Sequence, residues 1–157
     1  MNIADSIREN LHETWLPIIY RDKVRTQRTR AFRLNIEPRE HKVDIQHTLL
    51  GIELKVGNKR ISCPDLSTAR YLQVFARFGC NEIAIPYDIT KISTLADELE
   101  SSWQRIILIF DEQTEEKNAS GRGKIRANLL KDIRQELDTI GAGELMPEFK
   151  QSTTQRT

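Results

Sequence analysis

The sequence predicts a single α/β domain with a mixed central sheet flanked by helices. Three observations carry that prediction. Residues 43–56 alternate apolar and polar side chains on either side of a reversal near Leu49 to Gly51, the pattern of two short paired strands with one face buried. Residues 105–111 contain five consecutive apolar side chains, Ile106 to Phe110, as expected of a central strand covered on both faces. Around these stretches, apolar residues recur at helical spacing. Early strands in hairpins and later strands joined through helices give a layered α/β architecture.

The 157 residues suit one domain with one core. Hydrophobic residues make up 38% and charged residues 30%, the balance of a folded rather than a disordered chain. Lys and Arg total 24 against 23 Asp and Glu, so bulk charge names no partner and only its distribution could. No apolar run approaches the roughly 20 residues needed to span a bilayer, and the N-terminus lacks the basic start and apolar core of a signal peptide. A cytoplasmic location with no membrane partner is expected. Cys63 and Cys80 are too few and too far apart for a zinc ribbon or a disulfide framework, and are read as inert thiols.

In chain order, residues 5–16 read as a helix. Ser6 and Glu9 fit a capping box, Ile7, Leu11 and Trp15 form the buried stripe, and Pro17 interrupts it. From Arg21 to Arg33, six cations (Arg21, Lys23, Arg25, Arg28, Arg30 and Arg33) accompany one acid, Asp22, and no apolar period runs through 21–30. This stretch is either a solvated helix end or a phosphate-contacting arm, since guanidinium forks match phosphate oxygens. A first strand is expected over 31–36. Gly57-Asn58 supplies a two-residue reversal into a further short strand. Asp65 caps a helix whose apolar face includes Leu66, Ala69, Leu72 and Phe78 and which ends at Gly79. Residues 82–86 form a buried strand closed by Pro86. A helix from Ser93 to about Trp103 leads into the expected strand at 105–111. Residues 111–123 read as an exposed loop, and Gly121 to Lys124 lacks the spacing and the hydroxyl of a phosphate loop. A last helix is expected from about Lys124 to Ile140. The domain then spans 1–143, and 144–157 reads as a flexible tail.

The chemistry concentrates on the central pair. With the reversal at Leu49-Leu50, Asp44 lies opposite Lys55, and Asp44, Glu53 and Lys55 share one polar face. An acid on one strand and Glu-x-Lys on the next, following a helix and preceding a helix and a strand, resembles the PD-(D/E)XK nuclease superfamily over about residues 3–88. Val43 stands where that family often carries Pro. The resemblance implies a restriction-endonuclease-like core and metal-dependent cleavage of a phosphodiester in DNA or RNA. It makes Asp44 and Glu53 ligands for Mg²⁺ or Mn²⁺, and Lys55 the cation that orients water and balances charge at the scissile phosphate. Glu9 or Glu13 would add an outer carboxylate, and the cations from Arg21 to Arg33 would hold the backbone. Two other readings stand beside it. One is a non-enzymatic nucleic-acid- or protein-binding assembly factor on the same fold. The other is a small-ligand enzyme with its site at strand ends near Asp88 and Asp111. Oligomeric state stays open, a homodimer included. His12, His41 and His47 match no zinc spacing.

Overall fold

The computed structural model describes residues 2–143; the tail expected at 144–157 lies outside the described residues. Helix α1 (Ile3–Leu11) starts one turn earlier than the capping-box reading places it. Its cap is Asn2, whose side chain accepts the Asp5 amide at 2.9 Å, and Ser6 lies inside the helix. A 3-10 turn (His12–Thr14) follows, then the short helix α2 (Leu16–Ile19). Pro17 sits in the first turn of α2. It starts this helix rather than ending the previous one, because a first-turn residue has no intrahelical amide bond to lose.

The basic stretch is not an unstructured arm. Tyr20–Val24 form a π-helical turn continuing α2, and Thr29–Arg33 form strand β1. Tyr20, Val24 and Thr29 are buried, which anchors the segment at both ends. The strand expected at 31–36 therefore begins two residues earlier and ends at Arg33.

Strands β2 (Val43–Thr48), β3 (Gly51–Val56) and β4 (Lys59–Cys63) form an antiparallel meander. Its reversals fall at Leu49-Leu50 and at Gly57-Asn58, with Gly57 at φ 60°. Leu54, Val56, Ile61 and Cys63 are buried on the inner face, against which α3 (Leu66–Phe78) packs. Asp65 caps α3 by accepting the Thr68 amide at 2.7 Å, and Gly79 ends it at φ 80°. A side chain at Gly79 would also collide with the Arg39 carbonyl oxygen, so the close approach of the 34–42 connection requires glycine.

Strand β5 (Glu82–Pro86) pairs antiparallel with β1, not with the meander. The expected single mixed sheet is thus two small antiparallel sheets flanked by helices. The other edge of β5 is closed by side chains: the Ala84 amide donates to the Tyr20 hydroxyl at 2.9 Å, and the Ala84 carbonyl accepts from Tyr71 at 2.6 Å. These two phenols replace a neighbouring strand.

The largest difference from expectation is at 105–111. That run is the second half of a 23-residue helix, α4 (Ile92–Thr114). Leu95, Leu99, Trp103, Ile106 and Phe110 are buried at helical spacing, while Leu108 is exposed. The expected loop at 111–123 shrinks to a turn, because Asn118 caps α5 (Ala119–Ile140) by accepting the Gly121 amide at 2.7 Å. Gly121 and Gly123 lie in the first turns of that helix. One continuous core joins all these helices and the inner faces of both sheets.

Candidate functional site

The meander settles where the first candidate residues stand. Asp44 is paired with Lys55, and Gln46 with Glu53. Alternation then puts Asp44, Glu53 and Lys55 on the outer face, with Arg60 paired to Lys55 across the β3–β4 ladder. Asp44 and Glu53 are diagonal neighbours, a relation that spans about 7–8 Å between Cα atoms and lets two carboxylates approach one ion. Glu53 is already engaged, since Arg60 Nη1 donates to its Oε1 at 3.2 Å.

A hexacoordinate Mg²⁺ accepts one or two carboxylates with waters or phosphate oxygens completing the shell, so Asp44 and Glu53 meet the minimum donor set. A third protein ligand is not at hand. Among the described residues, no group of three or more His, Cys, Asp or Glu could hold a metal. Glu9 lies on α1, which packs on α4 and α5, and Glu13 lies in the turn that follows; neither element belongs to the meander. The face is also open to solvent: Asp44, Arg60 and Ser62 are exposed. A cleft of about 750 Å³ opens elsewhere, between the start of α1, the end of α4 and α5, lined in part by Asn2, Ser6, Gln113 and Asn128.

The six cations of the basic stretch part into two groups. Arg21 is paired with Asp22 at 2.7 Å, Lys23 with Glu98, and Arg33 with Glu82 at 2.9 Å. Arg25 is spent on the fold: its Nη1 donates to Thr29 Oγ1 at 2.8 Å and to the Gly143 carbonyl at 2.7 Å. Arg28 and Arg30 have no carboxylate partner among the described residues. The Arg28 guanidinium lies 4.6 Å from the centre of the Tyr87 ring, and that of Arg30 lies 5.9 Å from the centre of Phe32.

Strand geometry explains this pair. Positions 28, 30 and 32 share one side of β1, and the Tyr87 amide donates to the Arg28 carbonyl at 3.1 Å, which extends the ladder by one pair. Two exposed guanidiniums and two rings therefore line up on one face of the β1–β5 sheet. Stacking on a ring satisfies the cation electrostatically but uses none of its N–H donors, unlike a carboxylate pair. Tyr87 and Phe32 did not emerge from the sequence as site residues. The available signal was the alternation of Arg28, Arg30 and Phe32.

The remaining candidates are structural. Asp88 caps a 3-10 turn (Ile89–Lys91), and hydrogen bonds from the Thr90 hydroxyl and amide hold its carboxyl below the usual carboxylate range. Asp111 is on α4, not at a strand end, and pairs with Arg122 at 2.9 Å. The strand-end ligand site near Asp88 and Asp111 therefore does not form. His41 Nε2 is hydrogen-bonded to the Glu37 carbonyl at 2.8 Å, and Cys63 and Cys80 are buried, with burial pushing their thiols up to about 11 and about 12. Among the described residues, no helix is long and apolar enough to cross a membrane. No family model matches the chain, and neither a curated protein nor a solved structure matches it.

Proposed function

We propose that the protein is a nucleic-acid-binding module that holds a single strand along Arg28 and Arg30 of its β1–β5 sheet. The observation that carries this reading is the pair Arg28 and Arg30, each lying over a ring within about 6 Å of its centre and neither paired with a carboxylate among the described residues. A guanidinium lying on a ring keeps its edge donors for phosphate oxygens and its outer plane for a base, the combination that single-strand binders use. Tyr87 adds an exposed aromatic edge. Because the contacts are to phosphates and base planes, the expected binding is tolerant of sequence and steeply weakened by salt.

The test is fluorescence anisotropy with labelled DNA and RNA single strands across a salt series. Replacing Arg28 and Arg30 by Ala should weaken binding by about tenfold or more and flatten the salt slope by up to about two phosphate contacts. Binding that is absent at low salt, or unchanged in the double variant, would refute the reading.

A second reading is favoured by one observation, the register that sets Asp44 opposite Lys55 with Glu53 beside them. The order of α1, the meander, α3 and β5 is also the order of elements that the PD-(D/E)XK resemblance implies, together with its restriction-endonuclease-like core. In that reading Asp44 and Glu53 hold Mg²⁺ or Mn²⁺, which when bound lowers the pKa of a water and offsets charge on the scissile phosphate. Lys55 would stand beside such an ion, and Glu53 would have to release Arg60 to hold it. Cleavage of single-stranded, duplex or branched DNA with metal, lost in Glu53→Gln and Lys55→Ala, would make this the better account. Binding without cleavage of any of these leaves the first.

A further inference from the structure

We infer that the outer edge of β2 is a dimerisation edge, on which a second copy of this chain pairs antiparallel to make one continuous six-stranded sheet. The Gly57 amide donates to the Lys42 carbonyl at 3.2 Å, and the two-residue reversal at Leu49-Leu50 closes on Thr48 and Gly51. In an antiparallel ladder hydrogen-bonded pairs alternate, so Asp44, Gln46 and Thr48 point their amides and carbonyls at β3. Those of Val43, Ile45 and His47 point away. Among the described residues, no hydrogen bond takes up these six groups.

The other free edges are protected. The Ala84–phenol bonds turn the groups of Ala84, and of its partner Ala31, away from the ladder, so the free edge of β1 carries Ala31 and Arg33 beside Arg28 and Arg30, while Thr29 on the same edge is buried. The outer edge of β4 carries Arg60 and adjoins Lys59, whose Nζ donates to the Asn35 carbonyl at 3.0 Å. Charge on an edge discourages strand addition. Strand β2, at six residues the equal longest, carries one charged side chain, Asp44, and residues 45–52 carry no Asp, Glu, Lys or Arg.

The hairpin tip gives the second indication. Leu49 and Leu50 are fully exposed at the tip of the two-residue turn, both with negative φ. The turn is held in shape: the Leu50 amide donates to Thr48 Oγ1, and that hydroxyl donates to the Gly51 carbonyl, both at 3.1 Å. Two leucines fixed in water have no intramolecular role.

A second copy fits both features. A twofold axis through Ile45 pairs Ile45 with the partner's Ile45 and Val43 with the partner's His47, so outward groups meet outward groups. Asp44 falls opposite the partner's Gln46, which avoids a like-charge pair. Leu49 falls opposite the partner's His41. That position is close in sequence to Pro38, Arg39 and Glu40, which with Arg126, Ala127 and Leu130 help line a cleft of about 390 Å³ whose walls are largely charged. This surface is separate from the β1–β5 face, so the inference stands independently of nucleic-acid binding.

Light scattering after size exclusion should give the mass of two chains. Ile45→Cys should form a disulfide-linked dimer on mild oxidation, because a hydrogen-bonded antiparallel pair sets Cα atoms about 5.5 Å apart, within disulfide reach. Cys63 and Cys80, both buried, should not crosslink in the wild type. His47→Pro removes an outward amide that β3 does not use, and should weaken association by about tenfold or more while leaving the monomer folded and oligonucleotide binding per chain unchanged. Wild type that stays monomeric up to about 100 µM overturns the proposal, as does an Ile45→Cys protein that folds but does not crosslink. A monomer that instead captures an extended segment of another protein on this edge also overturns it.

Discussion

The two sheets dispose of their charged side chains differently. On the meander, acids and bases alternate across the ladder, and Arg60 meets Glu53 while Lys55 stands opposite Asp44. Their fields largely cancel, and an exposed pair of this kind contributes little. On the β1–β5 sheet the one acid in the two strands, Glu82, is taken by Arg33, and Arg28 and Arg30 lie over rings. The difference is one of availability. A guanidinium bound to a carboxylate must break that bond to take a phosphate, whereas one stacked on an aromatic face need not.

The change with the largest expected effect attacks the joint between the sheets. Gly79 has φ 80°, and its Cα faces the Arg39 backbone on the connection from β1 to β2. Gly79→Ala should lower unfolding free energy by about 2–4 kcal/mol in denaturant titration, since both the conformation and the space are lost. An effect under about 1 kcal/mol would mean that the connection moves freely and the two sheets are not fixed by it.

Next comes the closure of the β1–β5 sheet. Tyr20→Phe strips the Ala84 amide of its acceptor and the Gly141 carbonyl of its donor, which lies 2.7 Å from the phenol. The expected loss is about 1–3 kcal/mol, and the Arg28–Arg30 face should loosen with it. The same phenol gives a pH signature. Burial pushes Tyr20 from 10.0 up to about 12, so the folded state keeps its proton where the unfolded chain releases it. That stability is fully present below pH 10, falls as pH rises from about 10 to about 12, and falls no further once both states are ionised. Tyr71 is also pushed up by burial and adds to the same decline. Unfolding midpoints measured from pH 8 upward should drop more gently in Tyr20→Phe.

The smallest effect is expected on the meander. Glu53→Gln keeps the size and breaks only an exposed ion pair, so stability should shift by less than about 0.5 kcal/mol. It leaves Arg60 without its acid and should strengthen oligonucleotide binding slightly. A marked gain in stability on adding Mg²⁺ to wild type, absent in the variant, would instead show an ion seated between Asp44 and Glu53.

Where local rules act alone, the fold is legible in the sequence. The alternation over 43–56 fixes the Asp44–Lys55 pairing, Gly57-Asn58 marks the second reversal, Asp65 and Gly79 bound α3, and Pro86 closes β5. Length and continuity are where it misleads. Five apolar residues in a row suit a buried strand or a buried helix equally, and isoleucine tips the reading toward strand. The spacing of Leu95, Leu99, Trp103, Ile106 and Phe110 runs through the stretch unbroken, with no Gly or Pro between 92 and 114, and that is the helix signal. Sheet composition was out of reach for another reason. Nothing local says that β5 joins β1, because its far edge is closed by Tyr20 and Tyr71, two phenols distant in sequence. For the candidate site, residue types and register were legible on the meander. Which cations of the basic stretch are spoken for depends on acids as distant as Glu82 and Glu98.

The most direct measurement sets the two faces against each other. One labelled single strand is titrated at low salt with Arg28→Ala/Arg30→Ala and with Lys55→Ala/Arg60→Ala, each removing two positive charges from one sheet. The account predicts a loss of about tenfold or more in the first double variant and less than about twofold in the second. Loss confined to the second would place the nucleic acid on the meander and contradict the account.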